Sequence, residues 1–134
     1  MRIEYSDLKK LAKKYSYIDK ILFCMENREF QSNTYKEKLK KCGAFTSKAK
    51  FTKIKKYILI YKTAFLHSLE RMKKEDSKIV KEIYMKNRSV CAVSMEYYIS
   101  EAVVYRTLKK FLLYFSLELM KQPRIIHPIL LIIS

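Results

Sequence analysis

The stretch Ser89-Val-Cys-Ala-Val-Ser-Met-Glu-Tyr-Tyr-Ile-Ser100-Glu-Ala-Val-Val-Tyr-Arg-Thr-Leu-Lys-Lys110 decides how this chain is read. Val93 and Tyr97 fall on one face of a short helical run, and Tyr98-Ile99-Ser100 follows as a tight corner. Beyond it Val104, Leu108, Phe111 and Phe115 recur at helical spacing. Two helices joined by so short a corner form a helix-turn-helix pattern. Ser100 is placed to accept from a free backbone N–H at the start of the second helix, and Glu101 in its first turn suits the positive end of the helix dipole. Ile99 plugs the angle between the helices, with Val93 and Val104 beneath it. A Tyr at positive φ costs about 1 kcal/mol or more, so the expectation at Tyr98 is a slightly longer turn with no left-handed residue.

Outward on the second helix remain Glu101, Ala102, Val103, Tyr105, Arg106, Lys109 and Lys110. A helix that presents its N-terminal turns together with an Arg and a Lys pair suits the DNA major groove. In that setting Ser100 caps, Arg106 meets a base or phosphate near the groove floor, and Lys109 and Lys110 hold phosphates. Glu101 either accepts from a cytosine amino group or serves as a cap alone.

Working back from this stretch, Ile79, Val80, Ile83 and Tyr84 face inward on a preceding helix that Glu75-Asp76-Ser77 caps. Before it a long helix is expected from about Lys53 to Lys74, with Ile54, Tyr57, Ile58, Tyr61, Phe65, Leu69 and Met72 as its apolar stripe. Between Asn27 and Thr52 the periodicity fails, leaving a polar linker with one short helix near Tyr35 to Cys42. Nine lysines and a single acid, Glu37, lie between Lys36 and Lys56. Such a run is either a solvated segment or a set of sequence-independent phosphate contacts, with Lys48, Lys50, Lys53, Lys55 and Lys56 the candidates.

At the N-terminus Leu8, Leu11, Tyr15, Ile18, Leu22 and Met25 follow a seven-residue repeat with Ser6 as N-cap and Lys9, Lys10, Lys13 and Lys14 outside. The stripe either lies on the rest of the chain or joins two copies as a homodimer. At the other end, residues 125–134 are strongly apolar but too short, and broken by Pro128, for a membrane span of about 20 residues. Folding back on a groove, covering a partner and being an aggregation-prone remnant all remain open for this tail.

Composition agrees with the helical reading. One Gly and two Pro among 134 residues leave little to break helices, and apolar residues recur at three- and four-residue spacing rather than in alternation. The chain is therefore expected to be all-α: long N-terminal helices, then a compact three-helix helix-turn-helix unit. The expected division is an N-terminal helix and basic linker over 1–52, a helical scaffold with the DNA-binding unit over 53–120, and an apolar tail over 121–134. With 29 Lys and Arg against 13 acids, the net charge of +16 calls for nucleic acid or an anionic surface as partner.

Enzyme chemistry is not expected. His67 and His127 have no acid or nucleophile at a telling spacing, and the single Gly43 rules out a Gly-rich phosphate loop. Cys24, Cys42 and Cys91 are odd in number and widely separated, which supports neither a metal site nor a disulfide framework and suits a reducing cytoplasm. No metal or cofactor is implied.

One family resemblance is carried by particular residues. An apolar helix ending in Tyr84, a polar connection, the Ile99-Ser100-Glu101 corner, Tyr105-Arg106, Leu108-Lys109 and the closing run Leu112-Leu-Tyr-Phe-Ser-Leu-Glu-Leu119 resemble the C-terminal half of ArpU/RinA-type phage transcriptional regulators. Those proteins are themselves similar to region 4 of sigma factors. Ser94 and Tyr98 depart from the pattern, which often has Ala in the first helix and Gly in the corner. The resemblance implies binding to double-stranded DNA, control of late phage genes in a bacterial host, a cytoplasmic location and a surface for RNA polymerase. The rival expectation is a basic helical interaction protein that docks on an acidic protein or a membrane surface.

Overall fold

The computed structural model describes residues 3–27 and 33–134, and among these it forms eight α-helices and no strand. Of the polar linker expected between Asn27 and Thr52, residues 28–32 lie outside the described residues.

Helices α1 (Tyr5–Lys13) and α2 (Tyr15–Asn27) divide the N-terminal repeat at Lys14, where φ −97° and ψ 14° interrupt the helix. Glu4, not Ser6, occupies the N-cap. Leu8, Leu11, Tyr15, Ile18, Leu22 and Met25 are all buried inside the single chain. A homodimer through this stripe is therefore corrected: its six residues are spent inside the chain, with Tyr15 stacked on the ring of Phe65, 4.2 Å between centroids.

Helix α3 (Asn33–Lys41) matches the expected short helix and buries Leu39. It stops at Gly43, whose φ of 80° lets the N–H groups of Gly43 and Ala44 turn back to the carbonyls of Lys40 and Leu39. Helix α4 (Lys48–Glu70) starts at Lys48 rather than Lys53, because the Ser47 hydroxyl accepts from the Lys50 N–H at 3.1 Å. It ends at Glu70, short of the expected Lys74, which instead opens α5 (Lys74–Val80). Lys73, not the Glu75-Asp76-Ser77 run, holds the α5 N-cap, and Glu75 and Asp76 sit in its first turn.

Helix α5 continues through a π-helical turn, Lys81–Met85, closed by Lys86 N–H donating to the Lys81 carbonyl. Helices α6 (Val90–Tyr97) and α7 (Glu101–Leu119) follow. A 3-10 turn at Pro123–Ile125 leads into α8 (Ile126–Ile133). Pro128 falls in the first turn of α8, where it takes away no intrahelical hydrogen bond. Ile125, Ile126, Ile129 and Ile132 are buried, and α8 docks against α1 and α4. Of the three fates open to the tail, folding back onto the chain is the one adopted.

The core is one cluster running from Leu8 to Ile132, so the three expected stretches share it. At its centre Phe65 of α4 meets Phe111 and Phe115 of α7 with centroids 4.9 and 5.5 Å away, while Tyr61 meets Phe115 at 5.9 Å. The buried Tyr61 hydroxyl donates to the Leu11 carbonyl, so its desolvated oxygen keeps a partner.

Two stability outcomes follow from this packing. Phe65→Ala is expected to cost about 3–5 kcal/mol, the usual range for removing a buried ring, measured by chemical denaturation. Tyr98→Gly should instead raise stability by about 0.5–1 kcal/mol. Tyr98 sits at φ 56° and ψ 42° and is 94% exposed, so glycine removes left-handed strain without removing packing, offset in part by the freedom it adds to the unfolded chain.

Candidate functional site

The corner between α6 and α7 forms for local reasons. Ser89 caps α6 by accepting from Ala92 N–H at 3.1 Å, and Ser100 caps α7 by accepting from Val103 N–H at 3.2 Å. Between the caps Tyr98 adopts the left-handed conformation that the sequence argued against. The gain that offsets the strain is visible: with Tyr98 turned this way, the Ile99 N–H joins that of Tyr98 at the carbonyl of Ser94 and closes the end of α6. Val93 and Val104 are fully buried beneath the corner and Ile99 is half-buried, as their spacing predicts. Tyr97, expected on the inner face, is 36% exposed.

A set of ion pairs fixes the approach to this corner. Glu82, in the π-helical turn, accepts from Lys86 at 2.7 Å and from Arg88 at 2.8 Å, and Arg88 also pairs with Glu96 of α6. Hydrogen bonds from Lys86 first and Arg88 second hold the Glu82 carboxyl below its ordinary range. The same contacts hold Arg88 above its own, Glu82 first and Glu96 second. Asn87, at φ 57°, donates from its side-chain amide to the Ser16 hydroxyl at 2.9 Å and ties the connection to α2. Tyr84 beneath it is pushed up to about 12 by burial.

Along α7 the expected outward residues are mostly outward. Ser100, Glu101, Ala102, Tyr105, Arg106, Lys109 and Lys110 are exposed, Tyr105 by 59%. Val103 is the exception: it is half-buried on the side of α7 that faces α5, the side where Lys110 approaches Asp76 at 4.0 Å. Arg106 and Lys109 enter no ion pair among the described residues.

The lysines at the start of α4 are not brought to this surface. Helix α4 meets α7 from Phe111 onward, through Phe65, Tyr61 and the Arg71–Glu118 pair, and its earlier turns run on beside Lys121 and Gln122. Lys48, Lys50, Lys53, Lys55 and Lys56 therefore occupy the far part of that helix, Lys53 stacked over the Tyr57 ring at 5.8 Å.

What the sequence reading missed is the position of α1. Its residues Tyr5, Lys9 and Lys13 flank Tyr105 and Lys109 of α7 across a hollow of about 500 Å³. A second hollow of about 960 Å³ lies where Ile3, Glu4 and Leu8 approach Arg106, Leu113 and Met120. Lys9 and Lys13 stand four residues apart, so their shared face was legible, but nothing local says which helix it lies beside.

His67 and His127 are both exposed, and no group of three or more His, Cys, Asp or Glu side chains gathers at metal-ligand distance among the described residues. No helix among the described residues is long and apolar enough to cross a membrane.

The Glu82 contacts carry a pH dependence. Because the folded carboxyl titrates lower than the unfolded one, its contribution is present above the unfolded pKa and is lost as pH falls through the folded pKa. Glu82→Gln is expected to lower the thermal midpoint at neutral pH, with the gap from the unaltered chain closing as pH drops below ~4. Equal gaps at both ends of the titration would remove Glu82 ionisation from the account. No protein-family model, curated protein or solved structure matches this chain.

Proposed function

We propose that the chain is a sequence-specific, double-stranded-DNA-binding transcriptional regulator in which α5, α6 and α7 act as a helix-turn-helix unit and α7 enters the major groove. The observation that carries this reading is the outward face of α7: Ala102, Tyr105, Arg106 and Lys109 stand exposed on the first turns of a helix that Ser100 caps. Arg106, with no ion pair among the described residues, reads a base edge or grips a phosphate at the groove floor. Lys109 and Lys110 neutralise phosphates, and Ser100 and Glu101 set the start of the helix. Val103, half-buried, positions the helix more than it contacts DNA.

The net charge of +16 supplies the sequence-independent part of the affinity. Lys48, Lys50, Lys53, Lys55 and Lys56 add phosphate contacts away from α7. The resemblance to ArpU/RinA-type regulators supports a phage or prophage setting in a bacterial cytoplasm and a contact with RNA polymerase. No catalytic role and no cofactor are proposed.

A second reading, a basic interaction protein for an acidic protein or membrane surface, draws on Leu113 and Leu117, which are 62% and 50% exposed further along α7. Selection from a random duplex library at near-physiological salt separates the two. The unaltered chain is expected to enrich a motif that Arg106→Ala fails to enrich, with Arg106→Ala losing about 1–3 kcal/mol on that motif. Equal losses on the motif and on scrambled duplex would remove base readout from α7. No recovery of DNA together with co-sedimentation on anionic vesicles would favour the interaction protein.

A further inference from the structure

The hollow between α1 and α7 is built mainly from cationic and aromatic side chains. Lys9 and Lys13 form one wall, Tyr105 and Lys109 the other, and Asn87 and Arg88 of the segment that leads into α6 complete the lining. None of its lining residues among those described is acidic. Arg88 is already held by Glu82 and Glu96, but Lys9, Lys13 and Lys109 enter no ion pair among the described residues. Lys9 lies over the Tyr5 ring at 5.4 Å, which steadies its ammonium at the rim. Asn87, anchored to Ser16, keeps the connecting segment in place.

We infer that this hollow is a backbone clamp: α1 runs beside the reading helix, and Lys9 and Lys13 with Lys109 grip phosphates of the DNA strand that borders the major groove. The inference rests on the DNA-binding reading and adds to it a second helix that supplies contacts. The hollow shares Tyr105 and Lys109 with the outward face of α7, so a strand edging a groove occupied by α7 passes over it. Lys9 and Lys13 are ~6 Å apart along the helix axis, against ~3.4 Å of duplex axis per phosphate on one strand. They are therefore able to meet different phosphates. The clamp carries no base information, and its signature is salt dependence.

The same helix contains its own control. Lys10 and Lys14 line a separate hollow with Asp7, His127 and Leu131, on the side of α1 that meets α8. The test compares Lys9→Ala/Lys13→Ala with Lys10→Ala/Lys14→Ala, two variants of equal charge on one helix, by titrating labelled duplex over a range of salt. The clamp predicts that the first pair lowers the slope of log affinity against log salt by about two, since each phosphate left without its lysine takes about 0.9 from the slope. It predicts the same drop on the selected motif and on scrambled duplex, and little change in slope for the second pair. Equal slope changes for both pairs, or none for the first, would overturn the clamp while leaving DNA binding by α7 intact. Failure of the unaltered chain to bind any duplex would overturn the DNA reading and the clamp with it.

Discussion

The ring of Phe65 is the contact on which the rest of the arrangement depends. It stacks on Tyr15 of α2 and takes the edges of Phe111 and Phe115 of α7, so a single side chain of α4 holds two other helices in register. Rings of this size contribute by the apolar area they remove from water and by offset and edge-on geometry, which fixes angles as well as distances. Because the ring contacts on α7 begin at Phe111, the preceding turns from Glu101 to Lys110 are left for α1, α5, α6 and solvent. Val104, Thr107 and Leu108 continue the buried face that Phe111 and Phe115 begin, and Arg106 and Lys109 lie on the opposite one. The core thus decides which part of the helix remains outward.

At the other end of α7 the control is local. Ser100 and the left-handed Tyr98 set the direction in which the helix leaves the corner, while the Glu82–Arg88–Glu96 pairs hold α6 to the π-helical turn before it. Packing fixes the C-terminal half of α7, and capping together with ion pairs fixes the N-terminal half. The outward face is defined from both ends, although its exposed residues contribute little to that definition themselves.

The corner was the most legible part of the sequence, because its determinants are adjacent residues. Ser100 as cap, Val93 and Val104 beneath it and the inward Phe111 and Phe115 follow from spacing and chemistry alone. Tyr98 misled because propensity weighs the cost of a left-handed Tyr but not the Ile99 N–H that this conformation delivers to the Ser94 carbonyl. The start of α4 was misplaced for a related reason: the lysine-rich run reads as linker until Ser47 is seen to cap it. The N-terminal stripe was ambiguous in principle. A seven-residue apolar repeat fits a partner helix and the chain's own core equally well, and only the burial of the stripe inside the chain, with Tyr15 stacked on Phe65, chooses. The hollow beside α7 was beyond reach for the same reason, since Lys9 and Tyr105 are neighbours only through the tertiary packing of α1.

Five of the 13 acids enter ion pairs among the described residues. The ion pairs among the described residues hold the frame: Asp19 joins α2 to α4, Glu118 binds Arg71 and Lys121, and Glu82 and Glu96 secure the connection before and along α6. The lysines of α1, those in the first turns of α4, and Arg106 and Lys109 of α7 are left outside these pairs. The acids in these pairs hold elements together and leave two basic surfaces exposed to self-repulsion, which any polyanion laid across them relieves. The surface that includes Arg106 differs from the other in one respect that charge alone does not supply. It is carried on a helix held at both ends, so that its cations have fixed positions as well as a fixed sign.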